Sequence, residues 1–218
     1  MTRIMMTKPL LESPLSEEMT KAKRGRPTGD RDKKREELLD VAITTLAHEG
    51  YSGLSIRKVA QNAGGSTGTI TYYFANKDEL ILGIADELFK RFEAILVSEG
   101  EPTDIATAIE QWSLWSSADN TDLVRAFLQL QSYATIEPTF ADFVQKRNEL
   151  ILSQLIKMIE KGQQANIVRN DIPADILAEQ LSAMGDGFMI SLSIHPNRLS
   201  SEKINALQQC IKTLISPT

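Results

Sequence analysis

Between Ser55 and Tyr73 the chain reads SIRKVAQNAGGSTGTITYY, two short segments set apart by Gly64 and Gly65. Each segment opens on a serine. A serine hydroxyl accepts a hydrogen bond from a backbone N–H that the first helical turn leaves unpaired, so Ser55 predicts a helix over Ile56–Asn62 and Ser66 a second one reaching about Tyr73. The glycines break the first helix and permit a tight turn. Helices of about two turns are unstable alone in water and gain stability by packing. The packing residues are present: Val59 and Ala60 can face a preceding helix, and Ile70 can anchor the second segment from beneath. This spacing predicts a helix-turn-helix.

The flanks supply partners for it. From Lys33 to His48, the residues Leu39, Ala42, Ile43 and Leu46 recur at helical spacing, and Gly50 can provide a left-handed stop. Asn76 can cap a fourth helix, with Glu79 where a capping-box partner belongs and Leu80, Ile84, Leu88 and Phe92 as its apolar stripe. Further helices are expected over 103–116, 123–136, 138–165, 173–194 and 201–214, separated by Pro102, the SADNTD stretch, Pro138 and the His195–Pro196 pair. No segment alternates as a strand would, and no internal repeat is present. The class is all-α. Residues 1–30 hold Pro9, Pro14 and Pro27 without sustained periodicity and read as a flexible arm.

Composition narrows the function. The 218 residues are 42% hydrophobic, enough for a core in one or two domains. A single cysteine, Cys210, excludes an intrachain disulfide and a cysteine zinc cluster, and fits a reducing cytoplasm. Its place beside the apolar stripe of the last helix suits packing. Two histidines, His48 and His195, are too few for a histidine-rich metal site, and no cofactor is expected. The best membrane candidate, Leu181 to Ile194, is short and contains Asp186, and the N-terminus lacks the apolar core of a secretory signal. No nucleophile–base pair or metal-ligand spacing is found, and GGSTG lacks the Lys-Ser/Thr ending of a phosphate-binding loop. An enzyme is therefore not expected; a small all-α enzyme using Asp186 and a histidine is the weaker alternative.

The net charge is −5, which at first opposes a nucleic-acid partner, but the charges are unevenly spread. Residues 1–80 hold 13 Lys and Arg against 11 Asp and Glu, whereas residues 81–218 hold 11 against 18. Residues 21–35 alone hold eight basic side chains and two acidic ones. A basic arm and an acidic body follow. On the second motif helix, Thr67, Gly68, Thr69, Thr71 and Tyr73 are left for the outer face once Ile70 is turned inward. Small residues let a helix sink into a major groove, and hydroxyls can bond phosphates or base edges. Lys77, in the first turn of the next helix, adds a charge where backbone N–H groups already favour a phosphate.

The 50-residue stretch from Arg35 to Ile84 resembles the DNA-binding domain of TetR-type transcriptional repressors. Ala42, Gly50–Tyr51, Val59–Ala60, Ala63–Gly64, Ser66, Gly68–Thr69, Tyr73–Phe74, Lys77 and Leu80 carry the likeness, without a gap. The resemblance implies base or phosphate contacts from Arg57, a groove-facing helix start at Ser66, Thr67, Gly68 and Thr69, and phosphate contacts from Tyr73 and Lys77. Two positions depart from it. Gly65 replaces a usual valine, which loosens the turn packing, and Thr71 replaces a usual tyrosine, which shortens the reach of that hydroxyl. Lys23 to Pro27, KRGRP, is similar to the core of an AT-hook; Arg24 and Arg26 can meet the negative potential of a narrow minor groove while Gly25 clears its floor. Nonspecific phosphate attraction by the same arm is the alternative.

After Leu96 the resemblance is to the effector and dimerisation region of the branch that includes the choline-responsive betaine repressor; it does not transfer choline as the ligand. The expected organisation is an arm over 1–30, a DNA-binding domain of three helices over 31–78 with its motif at about 55–74, and an effector-binding and dimerisation domain over 79–218. Leu181, Met184, Phe188 and Leu192 on the penultimate helix, with Leu207 and Ile211 on the last, form stripes that suit a four-helix dimer interface and equally suit the core of a monomer. Trp112, Trp115, Phe127, Tyr133, Phe140, Phe143 and Met189 are candidate walls of a ligand cavity, with ordinary core as the alternative for each. Asp186, an acid amid apolar residues, needs a partner, either a ligand or a neighbouring helix. The reading is a ligand-responsive regulator, a repressor, that binds a palindromic operator as a homodimer and is released by a small molecule. A constitutive DNA-binding protein without effector is the alternative within the same class.

Overall fold

The computed structural model describes residues 28–98, 101–102, 104–115, 120–195 and 200–217; the side chains of residues 28–29, 97–98, 101–102, 113–115 and 201 lie outside that description. Among the described residues the chain is almost entirely helical. In order the helices are α1 (Thr28–Gly53), α2 (Ile56–Asn62), α3 (Thr67–Tyr73), α4 (Lys77–Leu96), α5 (Ile105–Trp115), α6 (Thr121–Ala134), α7 (Pro138–Gln164), α8 (Ala174–Ile194) and α9 (Ser201–Ile215). One feature departs from the all-helical expectation. Val97–Ser98 pairs antiparallel with Glu101–Pro102 as a two-residue ladder between α4 and α5.

The helix ends follow from the capping chemistry of the sequence. Ser55 and Ser66 accept from the backbone N–H groups of Lys58 and Thr69, both at 3.2 Å. Asn76 accepts from Glu79 N at 2.8 Å, and the Glu79 carboxylate accepts from Ala75 N at 2.9 Å, one residue ahead of the usual capping-box donor. Asp104 caps α5 through Ala106 N and Thr107 N, and the Thr107 hydroxyl, donating to it at 2.6 Å, does most to hold its carboxyl below the usual range, with the backbone bonds adding to it. Gly50 does interrupt α1: its φ of 67° and ψ of 178° lie in a region that essentially only glycine visits, and the chain resumes one more helical turn beyond it. At the end of α7, Asn166 takes φ 55°, and Ile167 N returns to Gly162 O at 2.9 Å, as in a left-handed helix cap.

The N-terminal helices share one core. Leu39, Leu46 and Ile70 are 0% exposed, and each such burial contributes about 1.5–3 kcal/mol. Thr45, the one buried polar side chain of that core, is satisfied twice: its hydroxyl donates to Val41 O at 2.7 Å and accepts from Asn62 Nδ2 at 3.0 Å. Phe74, directly after α3, packs onto α4 at Gly83, where an added Cβ would stand 2.8 Å from its ring. α1 then runs along α6, its most extensive neighbour, through the Tyr51–Tyr133 stack and the His48–Asp122 pair at 3.0 Å.

α4 joins the two halves of the molecule. Arg91 on α4 reaches Asp40 on α1 at 2.5 Å and Glu87 at 2.8 Å. From the other side, Arg147 on α7 holds α4 through Asp86 at 2.7 Å and Glu93 at 3.0 Å, with its guanidinium over the rings of Phe89 and Phe143. The C-terminal half packs α7 against α8, with α6 between α8 and α1.

Candidate nucleic-acid interface and effector cavity

α2 and α3 meet across Ala63–Ser66. Gly65 N donates to Ala60 O at 2.9 Å and Gly64 takes φ 64°, so Gly64 is the position at which the turn requires glycine. At Gly65 an added Cβ would meet nothing within 4 Å. The loosened packing expected from a missing valine is therefore not seen within the subunit.

Ile70 and Phe74 are 0% and 2% exposed and fix which side of α3 faces outward. At 100° per residue, Gly68, Thr71 and Tyr72 share the opposite side, and all three are exposed, as is Thr67 at the helix start. Thr69 and Tyr73 are half-buried at its edges. Some hydroxyls are already engaged. Ser66 caps α3, and the Thr71 hydroxyl donates to Gly68 O at 3.3 Å. Arg57 is exposed on α2. Arg24 and Arg26 lie outside the described residues.

Sequence reasoning missed Tyr72. It placed Tyr73 on the outer face, whereas Tyr72 is 65% exposed, edge-on to Tyr73 and beneath the guanidinium of Arg31 at 5.4 Å. The four-residue step from Gly68 to Tyr72 is the signal that could have found it.

Lys77 is placed differently from its expected role as a free phosphate ligand. Its Nζ donates to Tyr51 O at 2.6 Å and stands 4.0 Å over the Tyr51 ring, and burial pushes its pKa down. Tyr51 in turn stacks on Tyr133 at 4.0 Å, and the closeness of the Tyr51 phenol, with burial second, pushes the Tyr133 hydroxyl up to about 12.

The second site is a cavity of about 580 Å³ between α4, α5, α6, α7 and α8, with Ile211 of α9 on its wall. Of the expected ligand residues, Trp112, Phe127, Asp186 and Met189 line it. Tyr133 does not: its ring is taken up by Tyr51, and its α6 neighbours Gln131, Ala134 and Thr135 face the cavity instead. The side chain of Trp115 lies outside the described residues. Trp112 lies 5.8 Å from Phe188, and its indole packs over Gly185 of α8, where an added Cβ would stand in ordinary contact at 3.6 Å.

Within one subunit the residues of the expected dimer stripe face largely inward. Leu181, Met184, Phe188 and Ile211 line the cavity, Leu192 is 6% exposed and Leu207 is half-buried. The physical reason is that α8 is apolar on two sides. Packing on α6 and α7 takes the side with the larger residues. Outward it presents Ile176, Ala183, Gly187, Ile190 and Ile194, all exposed and on one face by their helical spacing. Neither a membrane-spanning helix nor a metal-binding cluster occurs among the described residues.

Known proteins share this arrangement. Residues 38–84 match the family described as bacterial regulatory proteins, tetR family, and residues 102–215 match the BetI-type transcriptional repressor, C-terminal. The chain is 26% identical over 170 residues to the HTH-type transcriptional repressor Rv1474c of Mycobacterium tuberculosis, covering 77% of this chain and 88% of that protein. It is 26% identical over 163 residues to the HTH-type transcriptional repressor AcnR of Corynebacterium glutamicum, covering 73% and 81%. Two solved structures share the fold. A TetR transcription regulator from Haloarcula marismortui has a TM-score of 0.67 at 23% identity, covering 84% of this chain and 97% of that one. The ketosteroid transcriptional regulator KstR2 of Mycobacterium tuberculosis has a TM-score of 0.60 at 19% identity, covering 84% and 95%.

Proposed function

Because this chain belongs to the tetR family of bacterial regulatory proteins, we propose that it is a transcriptional repressor that binds a palindromic operator as a homodimer and releases it when a small molecule fills the cavity. Relatives named as repressors support the sign of the regulation. One observation carries the ligand response: α4 begins at Lys77, beside the motif, and ends in the cavity wall at Phe92, Ile95 and Leu96. Twenty residues of helix span about 30 Å, so one rigid element reaches both sites.

In this reading α3 enters the major groove by its Gly68–Thr71–Tyr72 face, with Thr67, Thr69 and Tyr73 at its edges and Arg57 on a phosphate. Ser66 contributes mainly by setting the start of α3. Lys77 serves the operator through the chain that joins it to Tyr51 and Tyr133, as well as by its charge. The outward face of α8 meets its copy in a second subunit about a two-fold axis. Guest binding displaces the far end of α4, and the arginines at 91 and 147, which grip the helix from α1 and α7, transmit the tilt. Arg24 and Arg26 would add contacts in the minor groove.

Selection of bound DNA from random sequence tests the reading. A palindrome with half-sites roughly 34–36 Å apart, or a multiple of that, is expected. Recovery of single, non-repeated sites would sink the dimeric operator model. A ligand screen by thermal shift separates the inducible regulator from a constitutive one.

A further inference from the structure

Two guanidinium groups lie over aromatic rings where α1 passes the end of α3. Arg35 stands 5.2 Å over Phe74, and Arg31 stands 5.4 Å over Tyr72. The arginines are four residues apart, so they share one face of α1. The two stacks differ in burial. Phe74 is 2% exposed and seated on α4 at Gly83, and Arg35 is half-buried above it. That inner stack fixes α1 against the end of α3. One helical turn nearer the N-terminus, the same rigid helix delivers Arg31, itself exposed, to a ring that is 65% exposed.

The inner stack closes a core, but the outer one covers no core residue. What it does is hold Tyr72 from two directions. Arg31 lies over the face of the ring, and Tyr73 meets it edge-on at 4.9 Å and 87°. A tyrosine on a helix surface is otherwise free to change rotamer, and ordering it at an interface costs affinity. Here that freedom is removed before any DNA arrives. The N–H donors of a guanidinium lie in its plane, so stacking by the face leaves them unspent.

We infer that Arg31 is a positioning residue for operator recognition. It acts through Tyr72, holding that ring on the outward face of α3 so that it meets the groove already ordered. The inference rests on the proposal that the Gly68–Thr71–Tyr72 face enters the major groove. It adds a residue of α1, outside the helix-turn-helix, to those that set specificity.

A double-mutant cycle on the full-length protein tests it with two duplexes of equal length: the sequence recovered by selection from random DNA, and a scrambled duplex of the same base composition. Arg31→Ala should weaken binding to the selected duplex by about 2- to 10-fold and leave the scrambled duplex and the salt slope unchanged. Tyr72→Leu should also weaken the selected duplex, and in that background Arg31→Ala should cost nothing further. Both side chains are exposed, so the denaturation midpoints of the variants should match that of the parent. Equal losses in both backgrounds and on both duplexes, with a salt slope lowered by about 0.9, would make Arg31 a phosphate ligand only. That result, or no loss with Arg31→Ala where Tyr72→Leu does weaken binding, overturns the inference and leaves α3 in the groove. Full affinity of Tyr72→Leu for the selected duplex would overturn it together with the proposed groove face. Recovery of no DNA at all by selection removes the proposed function itself.

Discussion

Asp186 lines the cavity with much of its side chain still exposed, and partial desolvation at that wall raises its pKa above the ordinary value. Ionisation is then harder in the folded state than in the unfolded one. Below the unfolded pKa, about 4, both states are protonated and the group has no effect on stability. As pH rises through the folded value, stability is lost. Asp186→Asn should therefore raise the melting temperature of the ligand-free protein at about pH 7 and leave it unchanged at about pH 3. Equal shifts at both pH values would mean that the carboxylate's charge is not the cause. Lys77 presents a second residue-scale question, because its ammonium is already bonded to Tyr51. If it also meets a phosphate, Lys77→Ala should weaken binding to all DNA sequences alike and lower the salt slope by about 0.9. An unchanged slope with lowered affinity would assign Lys77 to the support of Tyr51 alone.

Helices are positioned here by a few close approaches. Phe74 seats α3 on α4 only because residue 83 lacks a side chain. Gly83→Ala would bring a methyl group to 2.8 Å from that ring and 3.3 Å from Leu39 Cδ2. Overpacking of this kind costs about 1–3 kcal/mol, read as a lower denaturation midpoint. Operator binding should fall further than the fraction unfolded explains, because Phe74 directly follows α3, the helix proposed to enter the groove. On α8 the contrast is Gly187, where an added Cβ would meet nothing within 4 Å of its own subunit. Gly187→Ala should stabilise an isolated helix by about 1 kcal/mol. If a second copy packs there, the same change should weaken the dimer, as a concentration series by sedimentation would reveal.

The whole molecule is proposed to work as two states that DNA and ligand bias in opposite directions. A charge placed on the outward face, as in Ile190→Glu, should yield folded monomers with greatly reduced operator affinity. Ile190 suits this test because it is exposed on that face, whereas Phe188 faces the cavity. A folded monomer of the unmutated chain at micromolar concentration would remove the dimer model. Coupling between sites of about 1–3 kcal/mol would change operator affinity by roughly 5–150-fold, and the operator must weaken the ligand by the same factor. A ligand that quenches Trp112 but binds equally well with and without operator is no inducer.

Much of this architecture was legible because helix limits are set locally. Ser55, Ser66, Asn76 and Gly50 act on backbone groups within four residues, so their roles could be read without knowing any neighbour in space. The same holds for Val59, Ala60 and Ile70, whose spacing leaves only one face for a core. Tertiary structure alone decided matters that depend on residues distant in sequence. Lys77 and Tyr51 are 26 positions apart, so no local pattern could reveal that the ammonium turns inward. Periodicity marked one apolar stripe on α8 but could not tell whether α6 and α7 or a second subunit would cover it, since a core and a dimer interface satisfy the same helical repeat. The cavity is likewise a product of five helices meeting imperfectly. The sequence supplies Trp112 and Asp186, and only the packing brings them to one cavity.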